Sequence, residues 1–282
     1  MIKNIIYVED GSVDVDELQL SLGEDTKIIV YRQGATKPVI EQLATPIQTA
    51  FDYSEREAKR EKTLNDYSWE EIKQAVENYY INGEVPFKVG EMKEISLKDS
   101  SSASIIFYGK EYGYEEEFNE RAPLIFGFFD LVGKDDSGGA QMNGDCTNEG
   151  GWEACKMRKY LNEDFIALLP DELVALLKVI KKKTVNKSKK VSVTEDQIFL
   201  PSEVEIFGKS HYSAEGEGYQ YAFFKNWRNR VKCYNDGENG IWWWLRSPFS
   251  GSYYYFCGVD SGGSYTYYYA YNTGGVSPCF AL

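Results

Sequence analysis

Strand-type and helix-type hydrophobic spacing alternate along the first part of the chain. IIYVE and KIIVYR are short β-branched runs typical of strands, and DVDELQLSLGED between them predicts one short helix that ends near Gly23. Residues 1–48 are therefore predicted to form a small αβ unit for attachment or assembly. The step Thr45-Pro46 breaks this pattern, and the polar, charged residues 49–67 predict a linker or an exposed helix.

A second helix is predicted to open the larger domain. Ser68 followed three residues later by Glu71 forms a capping-box pattern, and Ile72 and Val76 then follow at helical spacing. The helix should end near Gly83. PFKVGEMKEISL and SASIIFYG each predict a strand, and the apolar run in APLIFGFFDLVG predicts a buried strand.

The middle of the chain predicts two packed helices. Trp152, Tyr160 and Phe165 belong to a first helix that Pro170 ends, and Asp171 can cap a second helix that continues to Ile180. The lysines at 181–183, 187, 189 and 190 are predicted to lie in a solvated polar loop. DQIFLPSEVEIFG predicts a strand and a turn, and AFFKNWRNRVKC a short amphipathic piece.

Closely spaced Gly and Asn turns between aromatic runs predict short β-hairpins at the C-terminal end. The elements together predict the α+β class, with residues 68–282 as one mixed domain.

Composition narrows the classes of function. The chain has 282 residues and a net charge of −13, which argues against nucleic acid as a partner, because phosphate binding depends on Lys and Arg. No apolar run approaches the roughly 20 residues of a membrane helix, so no membrane insertion is expected. The beginning turns acidic after seven residues and makes a poor signal peptide. We therefore expect synthesis in the cytoplasm, with a phage particle or a cell surface as a further location.

Enzyme, cofactor and metal signals are weak. The five cysteines have no CxxC spacing, and His211 is the single histidine. No HExxH, GxSxG or P-loop pattern occurs in the sequence. YNDGENG at 234–240 could hold a cation but is better interpreted as a turn. The sequence thus predicts a protein that is not an enzyme and that has no cofactor or metal.

The segment between Pro248 and Gly274 has an unusual composition. It contains eight tyrosines and otherwise only Ser, Gly, Phe, Asp, Thr, Cys, Val, Ala and Asn. Tyr with Ser, Gly and Asn is the chemistry of antibody paratopes, where rigid amphipathic rings provide contact area. The predicted ligand-contacting residues are Ser250, Ser252, Tyr253, Tyr254, Tyr255, Asp260, Tyr265, Tyr267, Tyr268, Tyr269, Tyr271 and Asn272.

Strand alternation should divide these tyrosines between two faces, with Tyr268 opposite Tyr267 and Tyr269. We expect about half of them to be exposed in one contiguous patch, the rest being structural. At least two of the three tryptophans at 242–244 should lie in the core. Arg246 should form a structural ion pair or hold backbone carbonyls. The predicted scaffold residues are Trp242, Trp243, Trp244, Leu245, Arg246, Pro248, Gly275, Val276 and Pro278.

Four segments carry a resemblance: SWEEI…FKVGE, GGWEACKMRKYLN, DQIFLPSEVEIFG and WWWLRSP…GVSPCFAL. Over about residues 68–282 the chain resembles bacterial and phage proteins with a C-type-lectin-like domain of the formylglycine-generating-enzyme type. This group includes the variable proteins of diversity-generating retroelements. The resemblance implies a fixed scaffold around a variable region, here about 249–272, that is diversified through adenine-directed mutagenesis. Every residue type in the window can be reached from AAC or AAT codons.

The resemblance implies a receptor-binding protein whose partner is a protein or glycan on a cell surface. One alternative is a non-diversified structural or tail module, with the tyrosines in an oligomer interface. Another is a formylglycine-type oxidase, but Cys257 and Cys279 are far apart where the relatives have a closely spaced cysteine pair. The sequence also has Ser277 where many relatives have Arg, and Cys279 where many have Ala.

Overall fold

In a computed structural model, the chain divides into two compact units, Met1–Lys62 and Thr63–Leu282. The structure describes residues 62–132, 140–234 and 239–282, and in the smaller unit the backbone of three strands. These strands are β1 (Ile2–Val8), β2 (Thr26–Arg32) and β3 (Ile40–Leu43), in the order β1-β2-β3. β1 and β2 are parallel, and β2 and β3 are antiparallel. The two strands predicted here are confirmed, whereas the predicted helix between them lies outside the described residues.

The larger unit begins with the predicted capping box. Helix α1 (Trp69–Asn82) has Ser68 as its N-cap: the Ser68 hydroxyl accepts a hydrogen bond from the Glu71 N–H, and the Glu71 carboxylate accepts one from the Ser68 N–H. It ends at Gly83, whose φ of 84° is favourable for glycine. The 3-10 turn Leu64–Asp66 precedes the helix, and Leu64 is fully buried. The last part of the predicted linker therefore contributes to the core of this unit.

Three antiparallel sheets organise the larger unit. Its strands are β4 (Met92–Ser96), β5 (Ser102–Lys110), β6 (Leu124–Phe128), β7 (Ile180–Val185), β8 (Val191–Asp196), β9 (Ile198–Phe199), β10 (Trp243–Pro248), β11 (Tyr255–Val259), β12 (Tyr265–Tyr269) and β13 (Cys279–Ala281). The sheets have the orders β4-β5-β6-β13-β9, β7-β8 and β10-β11-β12. In the five-stranded sheet, β13 lies between β6 and β9 and pairs with both.

Strand β6 is buried along its whole length, as its apolar run predicts. The rings of Phe107, Phe126 and Phe280 pack in sequence across the sheet, with centroid distances of 5.0 and 5.7 Å. The first pair is tilted and the second is stacked, and ring contacts of this kind add stability beyond the area that they bury. The centre of the core therefore lies where β5, β6 and β13 adjoin.

The helices of the middle region are shorter than predicted. Helix α2 (Tyr114–Phe118) was not predicted, and helix α3 (Lys156–Tyr160) continues through a π-helical turn, Leu161–Phe165, and a 3-10 turn, Ile166–Leu168. Pro170 follows this segment, as predicted. Trp152, however, lies before α3, and helix α4 (Asp171–Val174) has only four residues. The prediction of two packed helices with the second reaching Ile180 is therefore wrong.

The lysines at 181–183 lie in strand β7 and not in a loop. The pairing of β7 with β8 alternates their side chains. Lys182 is buried, whereas Lys181 and Lys183 point outward to Glu120 and Glu117. The prediction was wrong because the β-branched residues of 179–185 favour a strand and two buried carboxylates satisfy Lys182.

A fifth helix, α5 (Glu203–Phe207), replaces the turn predicted after β9. Ser202 and Glu205 form a second capping box, the same signal that marks α1. The amphipathic piece that follows forms two 3-10 turns, Ala222–Lys225 and Trp227–Arg230.

The predicted C-terminal hairpins are confirmed, and the fold class is α+β. Among the described residues, no helix combines the length and apolar character that a membrane crossing requires.

Candidate functional site

The three-stranded sheet β10-β11-β12 presents one aromatic surface outward. On β12, Tyr265, Tyr267 and Tyr269 are exposed by 43%, 37% and 40%. Tyr268 points to the other side, where its ring centroid lies 3.9 Å from that of Trp242. This alternation agrees with the sequence prediction, but it removes Tyr268 from the candidate contact set, because its ring serves to pack the sheet.

The outward rings form a connected series. The ring centroid of Tyr255 on β11 lies 5.1 Å from that of Tyr267 and 4.5 Å from that of Tyr269. The rings of Tyr269 and Tyr271 stack with their centroids 5.6 Å apart. Tyr254 contacts Tyr255 at 6.3 Å. The series therefore joins the β11–β12 hairpin to the loop before it.

The series continues beyond the predicted contact residues. Phe249 stacks on Tyr267 at 4.6 Å, Tyr212 lies 4.8 Å from Tyr267, and His211 stacks on Tyr265 at 3.6 Å with an interplanar angle of 13°. We call nine of these connected rings the aromatic face; Phe207, 5.9 Å from the rings of His211 and Tyr265, borders it. Its members are His211, Tyr212, Phe249, Tyr254, Tyr255, Tyr265, Tyr267, Tyr269 and Tyr271.

Six of the eight tyrosines in the predicted segment are exposed, rather than half. Tyr253 is exposed apart from the ring series, with the Lys187 ammonium 4.1 Å from its ring centroid. Tyr255 is partly exposed, and hydrogen bonding to the Tyr269 phenol raises the pKa of Tyr255 to about 12.

The remaining predicted contact residues support turns. The Asp260 carboxylate accepts hydrogen bonds from the N–H groups of Gly262 and Ser264, which closes the β11–β12 turn. The Ser250 hydroxyl donates to the Tyr212 carbonyl, and Ser252 accepts from the Tyr254 N–H. The Asn272 N–H donates to the Tyr269 carbonyl. Because Asp260 is the single charged residue between Pro248 and Gly274, this segment of the face is almost neutral.

Core residues interrupt the predicted variable segment 249–272. Phe256, Cys257, Val259 and Ala270 are fully buried. At Gly258 an added Cβ would lie 2.9 Å from the Trp243 carbonyl oxygen. The segment therefore alternates exposed outward positions with inward positions that the packing fixes.

A buried amide holds the loop between β10 and β11. The Asn148 side chain is 1% exposed and donates to the carbonyls of Ser252 at 2.8 Å and Tyr255 at 2.7 Å. The Asn148 N–H also donates to the Tyr253 carbonyl at 2.7 Å. All three contacts use main-chain oxygens of the loop, so they do not depend on which side chains the loop carries.

The prediction that at least two of the three tryptophans lie in the core is confirmed. Trp243 and Trp244 are fully buried, and their indole N–H groups donate to the carbonyls of Arg230 and Ala140. Trp242 is partly exposed below Tyr268. Leu245 and Pro248 complete the buried strand β10.

The closing segment is also buried. Val276 bridges Val132, and the Pro278 carbonyl accepts from the Phe128 N–H at 3.1 Å. Gly275 approaches Trp242 and Leu131 so closely that a Cβ would lie 2.5 Å from a Leu131 methyl group.

Arg246 forms the predicted structural ion pair. Its two terminal nitrogens bind the Glu205 carboxylate at 2.5 and 2.7 Å, and all these atoms are buried. Lys182 lies 2.6 Å from Glu205 and 2.8 Å from Glu111. We call these four residues the ionic cluster. Sequence reasoning missed Lys182, Glu111 and Glu205, although the second capping box was a readable signal for Glu205.

Glu217 lies beside the ionic cluster. Its carboxyl group accepts hydrogen bonds from the Val185 N–H and the Ser247 hydroxyl, and burial raises the pKa of Glu217 to about 7. The group thus joins β7 to β10 beneath the sheet that carries the aromatic face.

The five cysteines are free thiols. Cys257 and Cys279 are fully buried, and burial raises the pKa of both thiols well above the usual range. A thiol in this state is a poor nucleophile. Within the described residues there is no group of three or more His, Cys, Asp and Glu side chains arranged to hold a metal ion. The 234–240 loop is only partly among those residues.

A cavity of about 370 Å³ lies away from the aromatic face. Leu97, Phe128 and Phe165 form part of its apolar wall, and Asp130 and Tyr160 contribute polar groups. Burial raises the pKa of Asp130 and raises that of Tyr160 to about 12.

A protein-family model described as a domain of unknown function (DUF6273) matches residues 130–282, which is more than half of the chain. No curated protein and no solved structure matches the chain. The matched segment contains the ionic-cluster residues Lys182, Glu205 and Arg246, the Asn148 anchor and the whole aromatic face.

Proposed function

The chain belongs to the DUF6273 family, and from this premise we propose that it is a receptor-binding protein whose aromatic face recognises a protein on a cell surface. The observation that carries the proposal is the connected series of exposed tyrosine rings. Contiguous exposed aromatic surface usually marks an interaction site, and aromatic anchors provide much of the affinity of protein interfaces.

A protein partner fits the geometry better than a glycan. A sugar ring stacks on a free aromatic face, but one face of Tyr267 is covered by Phe249, and one face of Tyr265 by His211. This stacking reduces the number of free ring faces and leaves ring edges and hydroxyl groups, which combine apolar and hydrogen-bonding contact as in antibody paratopes. The low charge of the segment also favours a partner surface without strong net charge.

We further propose that the larger unit is a C-type-lectin-like domain and that a retroelement diversifies its outward residues. The support is the separation of roles: Asn148 holds main-chain oxygens, the inward residues are buried, and the outward side chains carry few contacts with the scaffold. Such a surface can change its side chains while the backbone keeps its shape.

The gene neighbourhood tests diversification. We expect a reverse-transcriptase gene and a template repeat that matches codons 248–275 and differs only at adenines. The differences should fall in codons for outward positions such as 254, 265, 267, 269 and 271, and should spare those for 256–259 and 270. A neighbourhood without template repeat, or differences spread equally over inward codons, would contradict the diversification proposal.

A binding assay tests receptor recognition. The fluorescently labelled protein is applied to panels of intact bacterial cells, with and without protease or periodate treatment. We expect saturable binding that protease abolishes, and a loss of at least about tenfold in affinity for the variant Tyr254→Ser/Tyr267→Ser, since two exposed aromatic anchors are removed. Tyr112→Ser/Tyr219→Ser is the matched control, because both tyrosines are exposed outside the aromatic face.

Three outcomes would overturn the proposal. Equal binding of both double variants would remove the face from recognition, and binding sensitive to periodate alone would make the partner a glycan. Absence of saturable binding to any cell, with an oligomer in light scattering that only Tyr254→Ser/Tyr267→Ser dissociates, would instead identify the face as an assembly interface.

A further inference from the structure

A buried carboxylate outside the predicted segment shapes one edge of the aromatic face. Glu203, the first residue of α5, is 0% exposed. Its carboxylate accepts hydrogen bonds from the N–H groups of His211, Tyr212 and Ser213 at 2.9, 3.0 and 2.8 Å, and from the Ser213 hydroxyl at 2.7 Å. Four converging donors fix three consecutive residues of a loop around one negative charge.

The fixed loop lies against β12. Its Tyr212 carbonyl accepts hydrogen bonds from the N–H and the hydroxyl of Ser250 at 2.9 and 2.8 Å, which joins it to the loop after β10. The Tyr212 ring lies 5.6 Å from Tyr265 and 4.8 Å from Tyr267, and both Tyr212 and His211 remain partly exposed. The loop thus adds two oriented rings to the surface that the hairpin presents.

We infer that His211 and Tyr212 are constant, specificity-determining contacts for the receptor, and that Glu203 is the positioning residue that holds them in the aromatic face. The inference rests on the proposed function. Both residues lie outside 249–272, so every diversified form of the face would share them. The recognised partners would then have in common a patch that accepts this fixed pair, whatever the outward residues of the hairpin.

Nuclear magnetic resonance tests the positioning step without any ligand. His211 is the sole histidine of the chain, so its imidazole protons give unambiguous signals. Stacking on Tyr265 should shift these signals upfield of their positions in the unfolded chain. In Glu203→Gln, which opposes an amide N–H₂ to the converging donors, the signals should move toward the unfolded positions. Glu215→Gln, at an exposed residue, should leave them unchanged.

Ser213→Ala is the second variant in case Glu203→Gln fails to fold, because it removes one of the four donors to Glu203 and keeps the charge. Signals unchanged in both folded variants would overturn the role of Glu203.

The binding role is tested on the same protease-sensitive cells as above. Tyr212→Ser should weaken binding by at least about fivefold, as removal of an interfacial aromatic anchor does, and Tyr219→Ser should not. Folded Glu203→Gln or Ser213→Ala should weaken binding in proportion to the displacement of the His211 signals. If Tyr212→Ser and His211→Asn bind like wild type while Tyr254→Ser/Tyr267→Ser does not, this inference fails and receptor recognition by the hairpin stands. If all of them bind like wild type, the proposed function itself fails.

Discussion

The aromatic face is carried by the sheet β10-β11-β12, the ionic cluster reaches this sheet through Arg246 on β10, and the two depend on side chains in opposite ways. In the cluster, Arg246, Glu205 and Lys182 bind each other through their charged ends, so each residue is required by its neighbours. In the face, Asn148 of the scaffold donates hydrogen bonds to the main-chain carbonyls of Ser252 and Tyr255. The rings of the face contact mostly each other. Mutual side-chain contacts therefore constrain the residue types of the cluster, whereas the outward rings of the face have few contacts with the scaffold. The following variants break or sharpen this contrast.

The largest effect is expected from Lys182→Ala. Removal of one member of a buried ionic group leaves Glu111 without its cation and Glu205 with Arg246 alone, and costs about 3–5 kcal/mol. Lys183→Ala, the outward neighbour on the same strand, should cost less than about 1 kcal/mol, because its pair with Glu117 is partly solvated. Urea denaturation measures both values. Similar losses for the two lysines would show that the cluster is not a structural requirement.

Glu217 should give the stability of the protein a dependence on pH. Its pKa is about 7 in the folded protein and 4.5 in its ordinary state, so the folded state binds the proton more tightly. The contribution is fully present below about pH 4.5 and is lost as pH rises through 7, with a size of roughly 3 kcal/mol from the shift. In Glu217→Gln, the decline in free energy of unfolding between pH 5 and 7 should be smaller than in wild type by roughly 2 kcal/mol, because the rest of the effect falls outside this pH range. The control Glu215→Gln should retain the wild-type slope, and an unchanged slope in Glu217→Gln would contradict the assignment.

Asn148→Ala tests the hydrogen bonds from the Asn148 amide to the main chain of the loop. The Ser252 and Tyr255 carbonyls lose the hydrogen bonds from the Asn148 amide, and the Tyr255 carbonyl keeps that from the Phe249 N–H, so the loss should cost about 1–3 kcal/mol. We expect thermal denaturation to show this loss and Glu149→Ala, at the exposed neighbour, to stay within about 0.5 kcal/mol of wild type. If Asn148→Ala were equally stable, the loop would be held by its own side chains, and the contrast with the cluster would weaken.

The smallest effect is expected on the face itself. Tyr267→Ser should change the free energy of unfolding by about 1 kcal/mol or less, since the ring is outward and exposed. Tyr268→Ser, one residue on, should cost more, because its ring packs against Trp242. Chemical denaturation of the two variants measures both losses of stability. A larger loss of stability in Tyr267→Ser than in Tyr268→Ser would contradict the assignment of the structural role to the inward ring.

Local signals in the sequence predict much of this fold. The structure confirms the helix that begins after the Ser68 capping box, the buried strand β6 and the C-terminal hairpins. Each of these was predicted from residues within the element itself. The strand alternation of 267–269 likewise separates inward from outward tyrosines. The contiguity of the ring series, in contrast, depends on residues distant in sequence.

What could not be predicted depends on long-range partners. Lys182 resembles a solvated lysine until Glu205 and Glu111, both remote in sequence, are placed beside it. Tyr212 belongs to the aromatic face because the Glu203 carboxylate binds the main chain of its loop. No local sequence pattern predicts this hydrogen bond. The helix at 203–207 is different, since its Ser202–Glu205 capping box was present in the sequence and was interpreted as part of a turn.

The amide of Asn148 has a practical consequence for protein engineering. Peptide carbonyls are common to all twenty amino acids, so a clamp that reads only these atoms accepts new sequence in the loop it grips. Libraries randomised at 253 and 254, with the hairpin interior left intact, would make this domain a compact host for selecting artificial binders.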